Sequence, residues 1–346
     1  MNTSIKENDK IRIAVDAMGG DNAPVNEILG SVLASKERSD FIEITLVGKE
    51  DLIDDVLRKQ DYNNGNIKIV NAEEVINMHD APSDTFKTKP NSSLSVALNL
   101  QKENKSDALI SVGNTGAVLA NSTLKLGRIS GVGRPTIGSL FPTDSGRTMV
   151  FDVGASVDCK ASHLYEYAVM GSVYMNNVFN LNEPKVGLLS IGEEKSKGNE
   201  IIFETYRLLE NSSLNFIGNI EGGDVLRGKA DVVVCDGFVG NIILKFAESV
   251  LDVLKNKFRQ YADKGFLKKL WMVLISKTMK TIIKDFDYQE YGGVQLLGIN
   301  GVSIIGHGKS SPLAIQNMIY RAEDVVRKRV NDRIEDFLNR DNIAEL

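Results

Sequence analysis

Eight short β-type runs set the frame of this chain: IRIAV (11–15), IEITLVG (42–48), IKIV (67–70), ALISVG (108–113), TMVFDVG (148–154), KVGLLSIG (185–192), LNFIGNI (214–220) and ADVVVCDG (230–237). Several are continuously apolar rather than alternating, the pattern of strands covered on both faces. Between them, PVNEILGSVLASKE (24–37), HLYEYAVMGSVYMNNVF (163–179) and NEIIFETYRLLENS (199–212) carry apolar residues at helical spacing. This alternation predicts an α/β chain with a mostly parallel sheet. No internal repeat, low-complexity tract or linker marks a domain boundary along the 346 residues.

Five of the strands end alike, in AVDAMGG, ISVGNTGA, FDVGAS, LSIGEE and VVCDGFVGN. Glycines and small polar residues thus collect at the carboxyl ends of strands, the edge where open α/β sheets bind ligands. Gly19-Gly20 is the most pointed case. A glycine pair lets backbone N–H groups approach an anion, yet Asp16 and Asp21 fence it on either side. Asp21 or Asn22, just before Ala23-Pro24, reads as the N-cap of the following helix. Asn114, Thr115, Asn199 and Asn241 lie in the other turns and add polar groups to the predicted crevice.

Composition removes several function classes. A formal net charge of −5 argues against a general nucleic-acid binder. Cys159 and Cys235 are the only cysteines; they form no C-x-x-C pair and imply neither a disulfide framework nor a zinc site. The opening MNTSIKENDK has no apolar core of a signal peptide, and no run approaches a spanning helix, so a reducing, cytoplasmic setting is expected. Gly19-Gly20 does not fit G-x-G-x-x-G. In GHGKSS (306–311), the position of the first P-loop glycine is Ser303, and Ser310 or Ser311 before Pro312 reads instead as a helix start. His79, His163 and His307 form no local triad with Ser and Asp, and a small core role suits Cys235 better than nucleophilic catalysis.

VDAMGGDNAP (15–24), KPNSSL (89–94), ISVGNTGA (110–117), FDVGAS (151–156), KGNE (197–200), ADVVVCDGFVGN (230–241) and YGGVQLLGINGV (291–302) together resemble the PlsX family of phosphate acyltransferases over nearly the whole chain. The resemblance implies transfer of a long-chain fatty acyl group from acyl carrier protein to inorganic phosphate. The acyl phosphate product feeds phospholipid synthesis. It also implies a three-layer α/β/α fold akin to isocitrate and isopropylmalate dehydrogenases and to phosphotransacetylase, as a homodimer without cofactor or metal. A tail over 1–10 would precede a single catalytic unit over 11–340. Where the family reads D-V-G-A-N, this chain has Ser156.

On this reading phosphate attacks the thioester directly, and only positioning and charge stabilisation are asked of the enzyme. Lys197, aligned with the lysine of the family's K-G-N-E motif, is the first candidate for the carbonyl oxygen, with Asn199 beside it. Asp16 braces the glycine loop or draws off the phosphate proton. Phosphate or thioester contacts are expected from Gly19, Gly20, Asn22, Asn91, Ser92, Gly113, Asn114, Thr115, Gly116, Gly198, Asp236, Gly237 and Asn241. Ser92 and Ser93 read equally well as helix caps.

Residues 264–284, KGFLKKLWMVLISKTMKTIIK, carry six lysines and no acid. They belong to a basic amphipathic helical segment placed at about 242–287. Phe266, Leu270, Trp271, Met272 and Leu274 form its apolar side, with Lys268 and Lys269 beside them. Peripheral binding to anionic lipids is expected, with a core helix, a dimer contact or carrier-protein docking as alternatives. Two rival functions remain open at this stage: a nicotinamide-dependent hydroxy-acid dehydrogenase on the same fold, and a non-catalytic membrane adaptor for acyl carrier protein.

Overall fold

A computed structural model of the chain describes residues 9–62, 65–144, 146–156, 158–266, 268, 270–272, 274–275, 278 and 292–341. The strands are β1 (Ile11–Asp16), β2 (Ile42–Gly48), β3 (Ile67–Asn71), β4 (Ala108–Ser111), β5 (Thr136–Thr143), β6 (Gly146–Phe151), β7 (Val186–Leu189), β8 (Phe216–Ile220), β9 (Val232–Val234), β10 (Val294–Leu297) and β11 (Ser303–Ile305). They form one sheet in the order β3-β2-β1-β4-β11-β10-β5-β6-β9-β7-β8. All eight predicted strands are present; β5, β10 and β11 are additional.

Those three strands carry every antiparallel pairing: β10 with β11, β10 with β5, and β5 with β6. The remaining ladders are parallel. Strands β6 to β9 therefore run opposite, along the ladder, to β1 to β4 and β11. The glycine turns predicted to share one carboxyl edge accordingly divide into two groups, one on each half of the sheet.

Helices cover both faces. They are α1 (Val25–Glu37), α2 (Glu50–Lys59), α3 (Pro82–Thr88), α4 (Ser93–Lys102), α5 (Thr115–Leu126), α6 (Ala161–Phe179), α7 (Glu200–Glu210), α8 (Gly222–Arg227) and α9 (Gly237–Ala262), followed by helices Pro312–Arg327 and Val330–Asp341. Alternate strand residues feed two cores. Ile13, Val15, Ile110 and Phe151 pack with Ile28 and Val32 of α1, Leu164 and Tyr167 of α6, and Ile315 and Ile319. Ala14, Leu109, Val150 and Val233 point the other way, to Leu94 and Leu98 of α4, Val118 of α5 and Val225 of α8. The three-layer α/β/α arrangement follows from that pleat alternation, because strands wet on neither face need apolar cover on both.

Candidate active site

β1, β4 and β11 are neighbours running in parallel, so the turns that follow them meet. Asp16 closes β1 and is only 3% exposed. Its Oδ2 accepts the Ser111 hydroxyl at 2.8 Å and its Oδ1 the Met18 amide at 3.3 Å. Burial pushes its carboxyl up, against the lowering effect of the Ser93 and Ser111 hydroxyls and the Met18 amide. A Cβ at Gly19 would lie 2.8 Å from Asp16 Oδ2 and 2.9 Å from the Gly113 nitrogen. Only glycine lets the β1 and β4 turns touch this closely.

The turn after β11 closes the third side. Gly308 accepts the Asp21 amide at 2.8 Å through its carbonyl. GHGKSS thus packs against the glycine pair, and Ser311 caps the next helix by accepting the Ala314 amide, with Pro312 in its first turn. The predicted N-cap at Asp21 or Asn22 is corrected. Pro24 holds that position in α1 without a side-chain cap, since the Asp21 amide is turned to Gly308 and Asn22 serves through its carbonyl, which accepts the Val25 amide at 3.0 Å.

Several predicted contact residues turn out to be occupied by the fold. Asn114 caps α5, its Oδ1 accepting the Ala117 amide at 3.1 Å. Its Nδ2 donates to the carbonyls of Met78 and Asp80. What it leaves toward solvent is the head of α5 at Thr115 and Gly116, whose first-turn amides have no intrahelical acceptor. Ser92 is buried and caps α4. Asn91 is exposed, and its amide donates to Glu74 Oε2 at 2.8 Å.

On the other half of the sheet, the FDVGAS and CDGFVGN turns are packed into one another. Asp152, following β6, is fully buried; its Oδ1 accepts the amides of Gly154 and Ala155 at 3.1 and 2.9 Å. Burial raises its carboxyl too. Oδ2 has no hydrogen-bond partner among the described residues, and a Cβ at Gly237 would sit 2.8 Å from it. Asp236 caps α9 through the Val239 amide, and Asn241 is exposed, its side chain lying against Gly154. Ser156, the departure from the family pattern, points inward: its Oγ accepts the Tyr167 hydroxyl at 3.3 Å.

The loop between β7 and α7 carries the third group. Its backbone is tied down, the Lys197 carbonyl accepting the Ser190 hydroxyl at 3.0 Å, while Gly198 takes a φ of +127°. Asn199 caps α7, accepting the Ile202 amide at 3.1 Å. Lys195 pairs with Glu210 and Lys229 with Glu193, whereas the exposed Lys197 ammonium forms no ion pair among the described residues. Glu27, Ser111 and Asp152 are the important groups that sequence reasoning missed. An acid placed directly before a glycine turn, as in VDAMGG and FDVGAS, is the signal that would have found Asp152.

The described residues contain no group of three or more His, Cys, Asp or Glu side chains able to hold a metal ion, and no described helix is long and apolar enough to cross a membrane. Both cysteines are buried, which pushes their thiols up. Phe266, Leu270, Trp271 and Leu274 are exposed and Met272 is half-buried; Lys268 lies 5.3 Å from the centre of the Tyr261 ring. Lys269 lies outside the described residues. α9 carries the apolar surface through the first part of the segment predicted at about 242–287: Ile242, Phe246, Val250, Val253 and Leu254, at helical spacing, are all exposed.

Comparison with known proteins bears on these turns as a set. The family described as "Fatty acid synthesis protein" matches residues 11–333. A phosphate acyltransferase of Dictyoglomus turgidum is 45% identical over 332 residues, covering 95% of this chain and 98% of that protein. One from Geobacter sulfurreducens is 46% identical over 324 residues, covering 94% and 93%. Among solved structures, a phosphotransacetylase from Streptococcus pyogenes superposes with a TM-score of 0.60 at 16% identity, covering 93% of this chain and 94% of that one. The EutD phosphotransacetylase of Staphylococcus aureus gives 0.57 at the same identity and coverage. At that identity the structural likeness speaks for the fold.

Proposed function

The chain belongs to the phosphate acyltransferase family of fatty acid synthesis proteins, and on that premise we propose that a long-chain fatty acyl thioester of acyl carrier protein is its donor. It is an acyltransferase that passes an acyl group to phosphate. The observation that carries this is identity of 45% with a phosphate acyltransferase across 95% of the chain.

In the proposed reaction a phosphate oxygen attacks the thioester carbonyl carbon. The C–O bond forms, the C–S bond breaks, and the carrier leaves as a thiol with the proton that phosphate gives up. Phosphate is cradled where the turns holding Gly19-Gly20, Gly113 and Gly308 meet near the head of α5, whose first-turn amides at Thr115 and Gly116 have no intrahelical acceptor. Lys197, in the second group of turns, meets the charge that develops on the carbonyl oxygen, which requires the thioester to lie between the two groups; its exposure and the absence of an ion pair among the described residues support that role. Asp16 acts as the brace of the glycine loop through the Met18 amide. No enzyme nucleophile takes part, in keeping with two buried cysteines of raised thiol pKa.

Two copies associate through the exposed apolar stripe of α9, and the basic segment with Trp271 and Leu274 lies against the anionic inner face of the cell membrane from the cytoplasmic side. The test of the reaction is a titration of inorganic phosphate with purified enzyme and palmitoyl-acyl carrier protein. Free carrier thiol is followed and acyl phosphate is trapped as hydroxamate. Phosphate-saturable thiol release matched by hydroxamate is expected. Thiol release indifferent to phosphate would instead identify a thioesterase, and no release would favour the adaptor.

A further inference from the structure

The glycine pair is flanked by acids, and the structure adds one more from below. Glu27 sits in the first turn of α1, is 1% exposed, and reaches back under the turn. Its Oε1 accepts the Gly20 amide at 3.2 Å, and a Cβ at Gly20 would fall 2.3 Å from that oxygen. Its Oε2 is buried without a hydrogen-bond partner among the described residues. An ionised carboxylate placed there would be short of donors and would set its field against any anion held on the turn.

We propose that Glu27 is a positioning residue for phosphate: its buried carboxyl fixes the Gly20 amide from beneath, and its charge sets how tightly the turn holds an anion above. The inference rests on the reading that the Gly19-Gly20 turn is the phosphate site. Burial, followed by the charges of Asp16 and Asp21, pushes Glu27 up to about 7, against the lowering effect of its own amide and that of Gly20. The charged groups that act on it are Asp16 on β1 and Asp21 in the turn, and the Gly308 carbonyl would lie 3.3 Å from a Gly20 Cβ on the same side. This arrangement reconciles an acid-fenced glycine pair with an anionic guest: near neutral pH, the acid closest to Gly20 carries a proton for much of the time. As pH rises, Glu27 ionises and the hold on phosphate weakens.

The experiment measures kcat and the KM for phosphate from pH 6 to 8.5 in the wild type and in Glu27→Gln, whose amide oxygen still accepts from Gly20 but cannot ionise. Taking the ratio of the two KM values cancels the titration of phosphate itself. The wild-type KM relative to the variant's is expected to rise at least about threefold across that range, the effect of a partly screened charge. Saturated kcat is expected to stay within about twofold, because the group positions phosphate without touching the thioester. Glu27→Asp, which draws the acid away from Gly20, is expected to raise the KM at every pH and serves if the glutamine variant folds poorly. In parallel, hydrogen exchange of the wild type is followed with and without saturating phosphate. Protection of residues 16–24 and 111–116 with a pH-dependent ratio supports the proposal. Protection with a flat ratio overturns the role of Glu27 and leaves the phosphate site standing. Absence of protection there overturns both.

Discussion

The Ser111 hydroxyl donates to Oδ2 of Asp16 at 2.8 Å and accepts the Gly113 amide at 3.2 Å, so one side chain ties together the ends of two adjacent strands. Ser111→Ala leaves a buried carboxyl short of a donor and frees the Gly113 amide. Stability should fall by about 1–3 kcal/mol. The hydroxyl favours the ionised form of Asp16, so the loss should be larger at high pH, where that buried carboxyl is ionised, than at low pH. Urea midpoints at both pH values check this; an equal loss at each would show that Asp16 does not change its charge across that interval.

Glu27 predicts a second pH effect, on folding rather than on turnover. The carboxyl titrates near 4.3 in an unfolded chain and about 7 in the folded one. A raised folded pKa means that the stabilising contribution is complete below the unfolded value and is lost as pH climbs through the folded one. Compared with Glu27→Gln, the wild type should therefore lose stability between about pH 4.5 and pH 7, by up to about 3 kcal/mol. Parallel urea unfolding of the two proteins isolates this group, since other titrations are common to both. A pH-independent difference would show that Glu27 is ionised throughout.

Two glycines separate close packing from mere helix content. A Cβ at Gly240 would lie 1.8 Å from the Asp152 carbonyl oxygen, whereas one at Gly223 in α8 meets nothing within 4 Å. Gly240→Ala must push α9 off the FDVGAS turn and should cost at least about 3 kcal/mol, beyond the range usual for point changes. Gly223→Ala should be neutral or stabilise by up to about 1 kcal/mol through helix propensity. Thermal midpoints of both variants decide it, and comparable values for the two would contradict the contact at Asp152.

The parallel framework was legible because each of its strands is apolar enough to announce itself. The antiparallel seam was not. β5 reads TIGSLFPT, broken by Gly138 and Pro142, and β10 and β11 are only four and three residues long. Their identity comes from the partners they find, such as Leu296 against Ile137 and Ser303 against Leu109, which lie far apart in sequence. The candidate site was legible in its glycines and less so in its side chains. GNTGA marks a turn, but the capping of α5 by the Asn114 carboxamide depends on how helix and preceding loop meet. Glu27 looks like an ordinary acid in a first helical turn, and only tertiary packing puts it under Gly20.

The β7–α7 loop offers an internal control for catalysis. Lys195 and Lys197 are both exposed, but Lys195 is committed to Glu210 and Lys197 to no acid among the described residues. Lys197→Ala should lower kcat about 100-fold, the usual effect of removing one donor to a developing oxyanion, with the thermal midpoint unchanged. Lys195→Ala should leave kcat nearly intact and change stability by no more than about 1 kcal/mol, as a surface pair allows. Equal kcat for the two variants would remove Lys197 from the reaction.

Phe246 is 68% exposed on α9 and Trp271 is 65% exposed beyond it, yet they are expected to serve different contacts. Phe246→Asp places a charge in the middle of the stripe assigned to the second copy, while leaving the buried core of the protomer untouched. Sedimentation should then show monomer at concentrations where the wild type is expected to be dimeric, since a desolvated, unpaired charge opposes association by several kcal/mol. Trp271→Ala combined with Leu274→Ala should preserve the dimer and reduce co-sedimentation with vesicles of anionic lipid, because the apolar contact that supplements lysine attraction is lost. The two losses separate only if the surfaces are distinct. Should the Trp271 and Leu274 pair dissolve the dimer as well, the apolar face would be one continuous interface, and membrane contact would have to proceed through the lysines alone.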